Sequence, residues 1–335
     1  MRTVVVFQGG GALGAFGGGA WASIAPWLRA RGDRVVALAG TSLGAVNAAV
    51  AARQLHTADA GVQALQHLWR HEIATPSFPF LGVAVGDSRH AVALRAWNGL
   101  LTGVLLGTRN LYRPQPLHWL PWAAMSRLDY PLYDRDAMWA LLERQVGRYA
   151  SVTAAQPLLA AGAVDLLSGE LHLFDSDEAP IGAAELAASS AMPLLFEPVE
   201  IGGRRYWDGD ATRDSLLPAL LARLRASGRL REGEALQLVS VEPFPREVAA
   251  LPQSGAELRW RAMNLLQADK LVPPEPPALK RWIRVTRPPL PEDAISAEFD
   301  FSPERVEALM TQGRDAARMA LVGSLVGAEE TGAGR

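Results

Sequence analysis

The chain opens on an apolar run, Val4-Val5-Val6-Phe7, that passes through Gln8 into Gly9-Gly10-Gly11. Branched and aromatic side chains in an unbroken run predict a buried strand over 3–7, because they are stiff and pack well on a pleated surface. A helix-compatible stretch from about 13 to 30 follows, then a second apolar run, Arg34 to Ala39, and an Ala-rich helical stretch over 43–53. Another helix is expected over 58–71. Continuous apolar strands alternating with helices predict a parallel-type sheet covered on both faces. The expected fold class is therefore α/β, three layers deep, with a mostly parallel central sheet.

The rhythm breaks over 74–130, read as a helical, lid-like insertion. Proline and glycine punctuate 76–86, a helix is expected from about 90 to 107, and Leu111 to Trp122 is rich in proline and aromatic residues. Within that helix Trp97, Leu100, Leu101, Val104 and Leu105 share one face at i, i+3, i+4, i+7 and i+8. Gly99, Gly103 and Gly107 form a second stripe on another side. Two readings are open: a packed core helix, or an interfacial helix that dips into lipid, with Trp119 and Trp122 as anchors. The uncharged stretch 96–108 is too short to span a bilayer.

Beyond 130 the pattern predicts a helix over 134–147, strands near 156–165 and 170–174, and a hairpin turning at Gly202-Gly203. A helix over 214–226, strands 236–241 and 281–287 around a helix at 254–269, and a last helix over 302–322 complete the reading. Val272–Pro277 reads as a stiff surface connection. One domain is expected over 1–326, with a disordered tail over 327–335.

Three blocks carry candidate chemistry. Gly40-Thr41-Ser42-Leu43-Gly44 lies between a strand and a helix, where Gly-x-Ser-x-Gly forms a sharp turn that presents its serine outward. The Gly9–Gly14 loop joins a strand to a helix, so its backbone N–H groups can hold an anion. That anion could be the oxyanion of acyl transfer or a dinucleotide pyrophosphate, since Gly9-x-Gly11-x-x-Gly14 fits both. A dinucleotide site wants an acid at the end of the second strand, where this chain has Ala39 and then the serine turn; the oxyanion reading is preferred. The third block, Asp208-Gly209-Asp210, stands where a strand gives way to a loop, a common seat for catalytic side chains.

These blocks, in this order, with Ala-Ser-Ser-Ala-Met-Pro over 188–193 leading to the last, resemble the bacterial branch of the patatin-like acyl hydrolases. The resemblance covers roughly 3–215, with a continuation to about 325. It implies a patatin-like fold, Ser42 as nucleophile, Asp208 as its general base, and an oxyanion hole from Gly9, Gly10 and Gly11. Gly40, Gly44, Gly14 and Gly209 would shape the turns. Asp210 departs from the family's usual Gly or Ala; it either raises a neighbouring carboxyl's pKa or is solvated, or caps the following helix. Leu13 replaces an Arg or Lys found in some members, which weakens the case for phosphate recognition there. The implied activity is hydrolysis of carboxylic esters of fatty acyl lipids, of phospholipase A or lipase type, without cofactor or metal. The alternatives are a lipid-binding protein of the same fold without catalysis and, less favoured, a dinucleotide-binding oxidoreductase.

The remaining composition narrows the classes. A Ser-His-Asp hydrolase of the α/β-hydrolase type needs a histidine after its acid, and all six histidines precede Asp208. A carboxylate base is thereby favoured over His172. His67 and His71 have a metal-compatible spacing but no evident third ligand, and read as surface residues. Zero cysteines rule out disulfides and thiolate chemistry. A net charge of −2 gives no basic stripe for nucleic acid. Thr3 to Leu28 is uncharged and follows Arg2, yet its seven glycines and strand-to-loop transition argue against a signal peptide. No transmembrane segment is expected either. The expected location is the cytoplasm, with peripheral membrane contact through about 90–125.

Overall fold

The computed structural model describes residues 1–115, 131–153, 155–231, 233–271 and 279–330. The chain runs β1 (Arg2–Phe7), α1 (Gly14–Ala30), β2 (Arg34–Thr41), α2 (Ser42–Gln54), α3 (Val62–His67) and α4 (Arg89–Leu105). Short strands β3 (Arg113–Pro114) and β4 (Tyr133–Asp134) pair with each other, and α5 (Asp136–Gln145) follows. Then come β5 (Leu158–Asp165), β6 (Leu171–Asp175), α6 (Ala183–Ser189), β7 (Val199–Ile201) and β8 (Arg204–Asp208). The last part holds α7 (Leu217–Ala226), β9 (Leu236–Glu242), α8 (Gly255–Gln267), β10 (Leu279–Thr286) and α9 (Pro303–Glu330).

The main sheet has the order β10-β9-β1-β2-β5-β8-β7, with β6 also paired to β5. From β10 through β5 all pairs are parallel; β6, β8 and β7 join antiparallel. Period-two alternation divides the core. Val5 and Phe7 face one way, into a cluster with α1, α2 and α9, while Val4 and Val6 face Leu217, Leu220, Leu221 and Leu224 of α7. The result is the expected three-layer α/β/α arrangement.

The triple glycine of α1, Gly17-Gly18-Gly19, marks close packing chiefly against helices. A Cβ at Gly19 would fall on the Met310 carbonyl of α9, and one at Gly18 would meet the Trp69 ring at 2.7 Å. The crossing is reciprocal, since a Cβ at Gly313 of α9 would strike the Phe16 carbonyl of α1. Two backbones this close gain dispersion contacts that offset the intrinsic helix penalty of glycine.

Helix α3 is shorter than expected and passes into a π-helical turn, Leu68–Ile73. That turn carries Trp69, whose indole N–H donates to Asn47 Oδ1 at 2.8 Å. In α4 the buried stripe is the small and polar one: Gly99, Gly103, Asn98 and Thr102. A Cβ at Gly99 would overlap the Asp300 carboxylate, and one at Gly103 the Phe299 carbonyl. Asn98 and Thr102 accept the N–H groups of Leu81 (3.0 Å) and Phe78 (2.8 Å). The apolar face is left half-buried, with Trp97 43% exposed. Trp119, Trp122 and the Val272–Pro277 connection lie outside the described residues. Helix α9 runs past the expected end at 322. Among the described residues no helix is long and apolar enough to cross a membrane.

Candidate active site

One strand acts as the ruler that assembles the site. Along a single edge of β5, Gly162 pairs with Thr41 at the end of β2, and the next residue, Ala163, pairs with Asp208 at the end of β8. β8 thus enters where β2 leaves. Asp208 arrives beside the residue that follows Thr41, which is Ser42. Strands separated by more than a hundred residues bring the two side chains together, and Ser42 Oγ donates to Asp208 Oδ2 at 2.7 Å. Both residues are buried, at 5% and 3% exposure.

Ser42 sits at φ 52°, a left-handed conformation uncommon for a residue with a side chain. Its neighbours make the turn feasible. A Cβ at Gly44 would collide with the Phe7 carbonyl, and one at Gly40 would lie 2.5 Å from the Gly44 backbone. The strained turn is also pinned from below: Ser42 N–H donates to Ser189 Oγ (3.1 Å), and that hydroxyl donates to the Gly162 carbonyl (2.7 Å). Helix α2 begins at Ser42, so its N-terminal dipole favours negative charge at this point.

Asp208 accepts a second hydrogen bond on Oδ1 from the Asp210 N–H at 2.8 Å. Burial nevertheless pushes its carboxyl up to about 8, with the Asp210 carboxylate adding to the rise. Asp210 points inward instead of being solvated. Its Oδ1 accepts from Thr41 Oγ1 at 2.9 Å, and Lys270 Nζ lies 3.9 Å from that oxygen.

The glycine loop closes over the same point. Gly9 N–H donates to Thr41 Oγ1 at 3.3 Å, and Gly11 of the same loop lines the cleft that holds Ser42 and Asp208. A Cβ at Gly9 would overlap Asp210 Oδ2 and come within 2.5 Å of Ser42 Cβ. Gly10 and Gly11 have φ of 131° and 54° and pack under Phe244 and the Glu298 carbonyl. Gly14 lies against Trp69, and Gly209 against Gly162 and Thr41. Leu13 is fully buried in the core.

Ser42 and Asp208 line a cleft whose other walls are mainly apolar: Leu111, Tyr112, Met138, Phe196, Phe299 and Phe301 among them. Tyr112 packs against Tyr133, Phe196 and Phe301 with ring centroids 5.0, 5.6 and 6.2 Å apart, a stiff aromatic wall. Among the described residues the one carboxylate on the cleft besides Asp208 is Glu298, which burial pushes up to about 7. Among the described residues no histidine lines the cleft. His172 stands on β6, on the edge of β5 opposite Asp208, against Phe174 and Tyr206. His67 and His71 stack on each other, and no group of three metal-compatible side chains occurs among the described residues.

Four contributors escaped the sequence reading: Thr41, Ser189, Lys270 and Glu298. Thr41 and Ser189 lie inside motifs that were read for other residues, and Lys270 left a trace as one of only two lysines in an arginine-rich chain.

No curated protein matches the chain. Among solved structures it is similar to VipD from Legionella pneumophila, at 14% identity over 96% of this chain and 67% of that one, with a TM-score of 0.41. It is also similar to the heterodimeric ExoU–SpcU complex from the type III secretion system of Pseudomonas aeruginosa, at 15% identity and a TM-score of 0.36. That alignment covers 97% of this chain and 52% of the other, so the chain spans about half of its length. The model of the patatin-like phospholipase family matches residues 5–221, from β1 through α7 and across the serine turn, the glycine loop and the Asp208 block. The chain belongs to the patatin-like phospholipase family.

Proposed function

We propose that this protein is a serine acyl hydrolase that cleaves carboxylic esters of fatty acyl lipids through a Ser42–Asp208 dyad. The observation that carries the reading is the 2.7 Å hydrogen bond from Ser42 Oγ to Asp208 Oδ2 on the wall of an apolar cleft. A hydroxyl becomes a nucleophile when a base lies within hydrogen-bond reach of its proton. Asp208 takes that proton as Ser42 Oγ attacks the acyl carbonyl. The tetrahedral oxyanion is received by the N–H groups of Gly10 and Gly11, while Gly9 holds Thr41 and lets the loop approach the serine. Collapse breaks the ester C–O bond, and the leaving alkoxide takes the proton from Asp208. Water then gives a proton to Asp208 and attacks the acyl carbon, and Ser42 Oγ leaves with that proton.

The cleft's apolar walls suit an acyl chain. The half-buried face of α4, with exposed Phe78, Leu81, Val83 and Val85 just before it, suits contact with the lipid surface that supplies the substrate.

The test is covalent labelling with a fluorophosphonate, followed by mass spectrometry. The adduct is expected on Ser42 in the wild type, absent in Ser42→Ala and reduced by about 10²–10⁴-fold in rate in Asp208→Asn. Folded wild-type protein that stays unlabelled with detergent and lipid vesicles present would overturn the reading. The binding-protein alternative would then predict fatty-acid binding indifferent to Ser42→Ala.

A further inference from the structure

Behind the dyad lies a buried polar network that the dyad's chemistry does not itself use. Asp210 is its hub. The backbone N–H of Asp210 donates to Asp208 Oδ1 (2.8 Å), its Oδ1 accepts from Thr41 Oγ1 (2.9 Å), and its carbonyl accepts from Lys270 Nζ (2.7 Å). Gln267 Nε2 donates to the same carbonyl at 3.4 Å. Thr41 in turn holds the Gly9 N–H. One residue therefore touches the proposed base directly and, through Thr41, both the strained turn and the glycine loop.

Two details show that the hub is built. Asp210 Oδ2 is buried without a hydrogen-bond partner, pressed against the space that Gly9 leaves free for lack of a Cβ. A buried carboxylate oxygen without a partner is costly, so something must compensate its charge. Lys270 is placed to do so, buried on the far side of the same carboxylate with Nζ 3.9 Å from Oδ1. Lys270 lies outside the 5–221 stretch that matches the family.

We propose that Asp210 and Lys270 are positioning residues for the Ser42–Asp208 reaction. They form a buried carboxylate–ammonium pair that holds the base, the serine turn and the glycine loop in register and sets the electrostatic field in which Asp208 titrates. The proposal rests on the functional reading above. Asp208 feels Asp210 and Lys270 directly, and its own field acts on the buried guanidinium of Arg135. Glu298 faces both members of the pair, Arg213 faces Lys270, and Glu197 faces Arg135. Desolvation raises Asp208 first and the Asp210 charge raises it further, while Lys270 pulls it down. Removing either member of the pair therefore moves Asp208 in a predictable direction.

The experiment is the pH dependence of fluorophosphonate labelling in wild type, Asp210→Asn, Asp210→Gly and Lys270→Met, with each fold checked by thermal melting. The midpoint of the acid limb is expected to fall by ~1 pH unit in both Asp210 variants and to rise by ~1 pH unit in Lys270→Met. A purely structural network would lower rates without moving midpoints in opposite directions. Midpoints unchanged from wild type, or moved the same way in all variants, overturn the proposal. If one variant fails to fold, the direction of shift in the others still decides. Carboxyl ¹³C NMR of Asp208 in the same proteins reads the shifts without any reaction. Opposite shifts by NMR in a wild type that does not label would reject the hydrolase reading while upholding the pair; absent shifts in a wild type that does label would reject the pair alone.

Discussion

At Asp208 the protein sets two demands against each other. The proposed reaction needs a carboxylate, and the buried position favours the neutral acid. With the folded carboxyl raised to about 8 and the unfolded one near its ordinary value of about 3.9, the native state binds the extra proton between those limits. Stability from this group is thus fully present below about pH 4, is lost as pH rises, and stays lost above about 8. An asparagine retains an acceptor for the Asp210 N–H and never ionises. Asp208→Asn should therefore match wild type in thermal melts near pH 4 and melt higher above pH 8, each kcal/mol recovered being worth about 2 °C in a chain of this size. Activity in that variant should be nearly gone. A melting difference that does not grow with pH would count against a strained, buried base. The same residue shows how far local sequence reaches: the Asp-Gly-Asp block marks Asp208, but its 2.7 Å partner depends on a strand register no local pattern encodes.

At the scale of elements, helices α1 and α9 meet through backbone instead of side chains. Gly19 faces the Met310 carbonyl and Gly313 the Phe16 carbonyl. An added methyl has nowhere to go without separating the helices, and overpacking of this kind costs about 1–3 kcal/mol or more. Gly313→Ala should lower the unfolding free energy by that amount in a denaturant titration, against the usual gain from replacing a helical glycine by alanine; a stabilised variant would mean that the helices are not this close in solution. Helix α4 follows the same logic with the opposite surface consequence. Its apolar periodicity was legible, yet the periodicity could not say which stripe is packed. Asp300 and the Phe299 carbonyl fit only against glycines, so the small stripe won the interior and the apolar one was left half-open.

On the scale of the whole molecule, the stretch that matches the family ends at 221, but the sheet does not. β9 lies on the free edge of β1, β10 on β9, and α9 covers α1. Asp293 sits almost fully buried between Arg287 and Arg305, tying the end of β10 to the start of α9. We read 1–326 as one folding unit, and a chain cut after 221 should fail to fold cooperatively. Its central strand β1 would become an exposed apolar edge, and the site would lose Lys270 and Glu298. Circular dichroism and urea titration of the truncated chain check this; a cooperative transition would divide the protein in two.

By itself the sequence determined the strand–helix rhythm, the mostly parallel sheet, the serine turn, the glycine loop and the acid block. Those features are local: apolar runs, glycine at tight turns and residue order act over a few positions. Tertiary structure alone decided that β5 would set Asp208 against Ser42, that Asp210 would turn inward, and that Lys270 and Glu298 would join them from the far end of the chain. The reason is physical. Register between distant strands, and the burial that shifts a carboxyl or selects one stripe of a helix, are set by what packs on the other side, and that neighbour is not written beside the residue it meets.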